Sequence, residues 1–245
     1  MQAQTVLITG AARRVGRAIA LSLAEKGWDI VIHYHSGKKH AEELASLIRK
    51  RKRQVTLITA DLSDARQTAQ IIPSLAKRGI KLSGLINNAA VFEKDSLASI
   101  TPASWQRHMS TNLFAPLQLM RDFAAHYKGH EGNIINITDG MHGWSLSPTF
   151  LSYSLSKLGL ANATLLLAVE LAPRVRVNAI APGPTLPGVM DRKDTFAKLK
   201  KIIPLARVSS PQEVCDAVQY ILSASSLTGQ TLLLSGGMHL PQTKE

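Results

Sequence analysis

The sequence predicts one α/β domain, a doubly wound parallel sheet with helices on both faces. Three observations lead there. Short apolar runs alternate with longer stretches of helical spacing along nearly the whole chain, and such a series implies right-handed crossovers and a parallel sheet. A glycine-containing turn, Thr9-Gly10-Ala11-Ala12-Arg13-Arg14-Val15-Gly16, stands between the first apolar run and the first helical stretch. The 245 residues contain no internal repeat, low-complexity tract or linker, so a single domain over residues 1–245 accounts for them.

Taken in order, Gln4-Thr5-Val6-Leu7-Ile8 reads as a buried strand broken by Thr9-Gly10. Val15 to Lys26 follows helical spacing and stops at Gly27. Asp29 to Tyr34 is a second strand, about Lys39 to Arg53 a helix, and Val55 to Thr59 a third strand. A helix over about 64–77 leads to a short strand at Gly84-Leu85-Ile86. Pro102 suits the first turn of a long helix running to about Tyr127. Asn133 to Thr138 is the next strand, and a helix from about Phe150 to Leu171 ends before Pro173. Val175 to Ile180 is a strand, Pro211 starts the last helix, and Gln230 to Leu234 is the last strand.

Composition narrows the classes. Apolar residues make up 45% of the chain, enough for a sizeable core. No apolar run approaches the roughly 18 residues of a membrane span, and Met1-Gln2-Ala3-Gln4 leads straight into a strand pattern, so neither membrane insertion nor a targeting segment is expected. Cys215 is the only cysteine, which leaves no disulfide framework and no thiolate metal site and suits the cytoplasm. His126 and His130 share a metal-like spacing, but Gly129 lies between them and no third ligand is near, so no metal is expected. The net charge is +12. Arg49-Lys50-Arg51-Lys52-Arg53 could be a nucleic-acid footprint or the cationic end of an amphipathic helix. No aromatic platform or helix-turn-helix pattern accompanies the run, so the second reading is preferred and no nucleic-acid partner is expected.

Several stretches carry chemistry. Residues four apart share a helix face, so in Tyr153-Ser154-Leu155-Ser156-Lys157 the phenol and the ammonium can converge on one reacting atom. A phenol of pKa about 10 exchanges protons poorly at neutral pH, and an adjacent cation lowers that value. Neither Ser152 nor Ser154 sits in the turn a serine nucleophile needs. The turn carrying Gly10, Arg14, Val15 and Gly16 stands where such a sheet holds a pyrophosphate on backbone N–H groups. Gly10 permits the tight turn, and Gly16 lets helix and strand pack closely. After the second strand stands His33-Tyr34-His35-Ser36-Gly37-Lys38-Lys39, with no acid for a ribose 2′-OH. His35 and Ser36, joined by Arg14, suit a 2′-phosphate, which points to NADPH/NADP. Asp61-Leu62 could hold the adenine edge, and Asn88, Ala89 and Ala90 leave room for a ribose.

In this combined order, Thr9-Gly10…Gly16, Asp61, Asn87-Asn88-Ala89, Asn112, Tyr153…Lys157 and Pro182-Gly183, the sequence resembles the short-chain dehydrogenases/reductases over essentially its whole length. The resemblance implies a Rossmann fold and hydride transfer between a nicotinamide and a small-molecule substrate. It implies Tyr153 as proton donor, and Lys157 as the residue that binds the nicotinamide ribose and lowers the Tyr153 pKa. Asn112 would help hold a proton-relay water, and Pro182 and Gly183 would lie at the cofactor. A homotetramer is also implied, through the long helices at 102–127 and 150–171.

Two departures from the usual family pattern stand out. Arg14 replaces a loop glycine, and the position of the catalytic serine falls on Asp139. Both are shared by the pteridine reductases and the related bacterial dihydropteridine reductases, which also place an aromatic residue where Phe92 stands, to stack on the pterin. This resemblance implies NADPH-dependent reduction of a pterin-like C=N bond, with Phe92, Arg14 and Asp139 at the substrate. A carboxylate at 139 would repel a substrate carbonyl and raise the Tyr153 pKa. It makes sense if it accepts N–H groups from an aminopyrimidine-type ring, or if burial keeps it protonated as a second acid. Asp139 as a loop cap and Phe92 as a packing aromatic are the structural alternatives. Reduction of a carbonyl, including a 3-oxoacyl thioester, and a cofactor-sensing regulator with little catalysis are the functional ones.

Residues 184–204 look like a short helical flap over the site mouth, with Met190 and Phe196 facing either substrate or the protein beneath. His142 and Trp144, after Asp139, are expected to wall the substrate pocket.

Overall fold

The computed structural model describes residues 4–140, 148–187 and 194–240. Seven strands form one sheet: β1 (Thr5–Ile8), β2 (Asp29–Tyr34), β3 (Val55–Thr59), β4 (Gly84–Asn87), β5 (Gly132–Ile137), β6 (Val175–Pro182) and β7 (Thr231–Leu234). Their order is β3-β2-β1-β4-β5-β6-β7, and every pairing is parallel. The chain winds outward from β1 to one edge, then returns to β4 and winds to the other. Between β1 and β4 the crossovers diverge to opposite sides, and their carboxyl ends open a crevice there.

Alternation along each strand sorts its side chains between two cores. Val6, Ile8, Ile30, Ile32, Ile86 and Ile135 face α1 (Arg14–Glu25), α2 (Lys38–Lys50) and α8 (Pro211–Ser223). Leu7, Val31, Leu85 and Ile134 face α3 (Ala65–Lys77), α5 (Ala115–His126) and α6 (Leu151–Glu170). Short polar signals set several helix starts. Asp64 caps α3 through the Arg66 N–H. Capping boxes, each followed by proline, begin α4 (Pro102–Met109) with Thr101 and Ser104, and α8 with Ser210 and Glu213.

Two expectations are corrected. The helix expected over 102–127 is interrupted: α4 and α5 are separated by a π turn at Ser110–Phe114. Pro116 has no N–H to give the carbonyl four residues back, and the wider turn accommodates that loss. The basic run does not finish a helix at Arg53, because α2 ends at Lys50 and Lys52 takes φ +58°. Arg51 donates to Glu25 and to the Leu47 carbonyl, and Arg53 to the Gly27 carbonyl, so two of its cations make local contacts. Among the described residues, no helix is long and apolar enough to cross a membrane, and no group of three or more His, Cys, Asp and Glu is placed to hold a metal.

Candidate active site

The floor of the crevice is held by close backbone approach. Gly10 has φ +63°, a conformation that favours glycine. A Cβ on Gly16 would lie 2.5 Å from the Gly10 carbonyl and 2.6 Å from Asn88 Nδ2, so only glycine lets α1 start this near β1. The buried Thr9 hydroxyl donates to the Ile86 carbonyl and accepts the N–H groups of Asn88 and Ala89. Asn88 Nδ2 donates to the Thr9 carbonyl at 2.8 Å. Beneath the loop, His33 Nδ1 accepts the Gly10 N–H at 3.2 Å while Nε2 meets the Ala60 carbonyl at 3.1 Å. One nitrogen therefore acts as acceptor and the other as donor, the pattern of a neutral imidazole. Burial agrees, lowering the His33 pKa from 6.5 to about 4.

Above this floor, α6 carries Tyr153 and Lys157 on its buried face. The Tyr153 hydroxyl donates to Asp139 Oδ2 at 2.5 Å. Lys157 Nζ, only 3% exposed, donates to the Ile137 carbonyl at 2.7 Å. Of the two opposing expectations for the Tyr153 pKa, lowered by Lys157 and raised by Asp139, the second prevails. Burial of the phenol, followed by the charge and hydrogen bond of Asp139, drives that pKa well above its ordinary value. The strain falls on the lysine instead, whose pKa burial lowers to about 8, against an opposing pull from Asp139. Tyr153 is thus a phenol that keeps its proton and aims it at a carboxylate. Chemically this set is arranged to release a proton once charge develops beside it.

Asn112 lies fully buried in the π turn. Its Oδ1 accepts the Val91 N–H at 2.8 Å, and its Nδ2 donates to the Val91 carbonyl and to Ser156 Oγ. It thereby joins the segment after β4 to α6. Phe92, the next residue, is 53% exposed, stacks on Phe150 with ring centroids 4.4 Å apart, and meets Tyr153 edge-on at 4.6 Å.

A cleft of about 510 Å³ connects these parts, lined among others by Arg14, Val15, Ser36, Phe92, Tyr153 and Lys157. Gly10, His35, Ala89 and Ala90 line both this cleft and an adjoining hollow of about 480 Å³ that reaches Asp61 and Leu62. Asp61 accepts the Ser63 N–H and hydroxyl, which with smaller pull from His35 hold its carboxyl below the usual range against partial desolvation. Pro182 lines the cleft, and the Gly183 N–H donates to the Leu234 carbonyl beside it. Two other hollows open at the amino ends of the strands, around Gly79 to Ser83, away from this set.

Arg14, which lines the cleft, also holds the segment that follows β6. With φ +55°, it sends its guanidinium to the Leu186 and Pro187 carbonyls at 3.0 and 2.8 Å. Arg13, which the sequence did not single out, lines the cleft, and its guanidinium sits where a Cβ on Gly37 would be, beside His35 and Ser36. The Arg13–Gly37 packing was invisible because glycine in a turn needs no second reason. Thr9, His33 and Phe150 were passed over as a turn residue, a strand residue and a helix start. Phe196 falls on α7 (Thr195–Ile202), half-buried. His142, Trp144 and Met190 lie outside the described residues.

A family model described as enoyl-(acyl carrier protein) reductase matches residues 10–239. The 3-oxoacyl-[acyl-carrier-protein] reductase FabG of Aggregatibacter actinomycetemcomitans is 30% identical over 240 residues, covering 96% of this chain and 99% of that protein. The solved structure of FolM alternative dihydrofolate reductase 1 from Brucella suis in complex with NADP superposes with a TM-score of 0.93 at 36% identity, covering 98% of this chain and 97% of that one. Its counterpart from Brucella canis, also complexed with NADP, gives a TM-score of 0.90 at 36% identity over 98% of this chain and 96% of that one.

Proposed function

The chain belongs to the short-chain dehydrogenase/reductase family, and on that premise we propose that it is an NADPH-dependent oxidoreductase that reduces the C=N bond of a pterin-like heterocycle. The observation that carries this reading is the 2.5 Å hydrogen bond from Tyr153 to Asp139. A carboxylate in that place disfavours a carbonyl oxygen and accepts the N–H edge of an aminopyrimidine ring. The similarity to the two dihydrofolate reductases supports it.

The residues present fit the cofactor. Gly10, Val15 and Gly16 line the cleft at the start of α1, where backbone N–H groups can meet a pyrophosphate. Arg13, His35 and Ser36 gather a cation and polar donors for a 2′-phosphate. Asp61 and Leu62 line the hollow that suits the adenine. Asn88, Ala89, Ala90, Pro182 and Lys157 border the space toward the nicotinamide ribose. When bound, NADPH supplies the hydride. Tyr153 supplies the proton to the ring nitrogen with Asp139 assisting, and its raised pKa keeps it protonated at neutral pH, as the reductive direction requires. Phe92 offers its ring as one wall of the substrate slot. Arg14 ties the phosphate loop to the start of the flap at 184–204.

A homotetramer is part of this reading. Phe114 on the π turn, with Leu155, Leu165, Leu166 and Val169 on α6, leaves an apolar row exposed, Val169 at 81%, and burying such a row stabilises association. The cytoplasmic location expected from the sequence belongs to the same reading. The test is NADPH oxidation with dihydrobiopterin or dihydrofolate, against simple ketones and a 3-oxoacyl thioester. Pterin turnover is expected. Turnover of the ketones or thioester alone would overturn the substrate and leave the oxidoreductase.

A further inference from the structure

The segment after β4 is a strap whose alternate residues are fastened from three directions. Val91 is gripped on both backbone groups by Asn112. The Glu93 N–H donates to Nε2 of His108, a fully buried ring whose Nδ1 meets the Ser104 carbonyl at 2.9 Å. Asp95, 4% exposed, accepts the Ser104 hydroxyl at 3.0 Å through one carboxylate oxygen and the Ser152 N–H at 2.9 Å through the other. Its backbone carbonyl accepts the Leu151 N–H, and it pairs with Phe150 as an isolated bridge. Between the fastened residues, Phe92 points outward.

The helix bearing Tyr153 and Lys157 has no cap of its own: Phe150, at its N-cap, offers no side-chain acceptor. Two of its first N–H groups are instead satisfied by Asp95, far away in sequence. A carboxylate there also complements the helix dipole. Burial alone would raise the Asp95 pKa, but the donors from Ser152 and Ser104 hold it below its ordinary value.

We propose that Asp95 is a positioning residue for the acceptor: by capping α6 across the strap it fixes the separation of Phe92 and Phe150 from Tyr153, and so sets the width of the slot in which the acceptor is held. The floor around Thr9, Gly10, Gly16 and His33 is built on other elements. This inference requires only that the chain reduces an acceptor with NADPH, and it stands or falls separately from the pterin reading.

The experiment compares wild type, Asp95→Ala and Asp95→Asn as full chains, measuring KM and kcat for the acceptor and Kd for NADPH. The acceptor is dihydrobiopterin, or a ketone if the wild type turns over only ketones. Loss of two hydrogen bonds to a charged group predicts a rise in acceptor KM of roughly tenfold or more in Asp95→Ala, with NADPH Kd within about twofold of wild type. Asp95→Asn can accept from Ser152 and donate to the Ser104 hydroxyl, so it should recover most of the loss. Should Asp95→Ala fail to fold, Ser104→Ala removes the hydroxyl that links Asp95 to α4, together with its half of the Thr101–Ser104 capping box, and should raise acceptor KM about threefold with NADPH Kd unchanged. Acceptor KM unaltered in the folded variant, or acceptor KM and NADPH Kd weakened by the same factor, would overturn the proposal.

Discussion

The two halves of the cleft are built by different means. On the cofactor side the chain is held by backbone and small side chains: Gly10 and Gly16 in near contact, Thr9 saturated by three partners, and Asn88 and His33 bonded to main-chain atoms. On the acceptor side the actors are larger side chains at the surface or in its margin, with Phe92 more than half exposed, Arg14 exposed and Asp139 half-buried. The first half tolerates few alternatives because a Cβ or a lost donor disrupts it at once. The second half can be rewritten by changing single side chains, and this is where a common fold acquires a particular substrate.

The largest expected effect separates the halves most sharply. Tyr153→Phe keeps the ring that packs against Phe92 and removes the proton, so turnover should fall by roughly 10²–10⁴-fold. NADPH binding, read by its fluorescence, should stay within about twofold. Comparable loss of both would mean that the two halves are one unit.

Asp139→Asn is expected to cost about 10–100-fold in kcat and to move its pH dependence. The Asp139 charge and hydrogen bond help to raise the Tyr153 pKa. Without them the phenol loses its proton at lower pH, so the alkaline limb of kcat should shift toward neutrality. A limb that stays in place would show that burial alone holds the proton on Tyr153.

The smallest effect concerns His33. Its folded pKa of about 4 lies below the ordinary 6.5, so between those values the unfolded chain binds a proton that the folded chain refuses. The neutral ring's contribution is complete above about pH 6.5 and is lost as pH falls through about 4. Thermal midpoints of wild type and His33→Gln between pH 7 and 4.5 should converge as the wild type loses more. NADPH Kd for the variant should rise only about two- to fivefold. Parallel pH curves would assign the acid sensitivity elsewhere.

The sequence made the fold readable because each strand is a continuous apolar run between strong breakers, and a buried parallel strand has few other ways to look. The floor was readable for a similar reason: Gly10 and Gly16 declare themselves at a strand-to-helix junction. Phe92, Asp139 and Tyr153 were found by type and position, and they do meet in space. What escaped depends on partners distant in the chain. Asp95 looks like a loop carboxylate until α6 is seen without its own cap, and Arg13 looks redundant beside Arg14 until it lies over Gly37. For the Tyr153 pKa, type and position place Lys157 and Asp139 as opposing neighbours but say nothing about burial, which comes first among its causes. The interruption at Ser110–Phe114 escaped because one extra residue per turn leaves the apolar pattern on either side helical.

That π turn makes chain length itself part of the machinery. At about 100° per residue, one residue more or less turns everything on one side of it by more than a quarter revolution relative to the other. Deleting a single residue within 110–114 would remove the wider turn that accommodates Pro116 and swing Asn112 off Val91 and Ser156. The outcome would be a strained helix and a dismantled joint. For this stretch, insertions and deletions are more damaging than any conservative exchange of side chains, and variants that keep the count should outlast those that keep the composition.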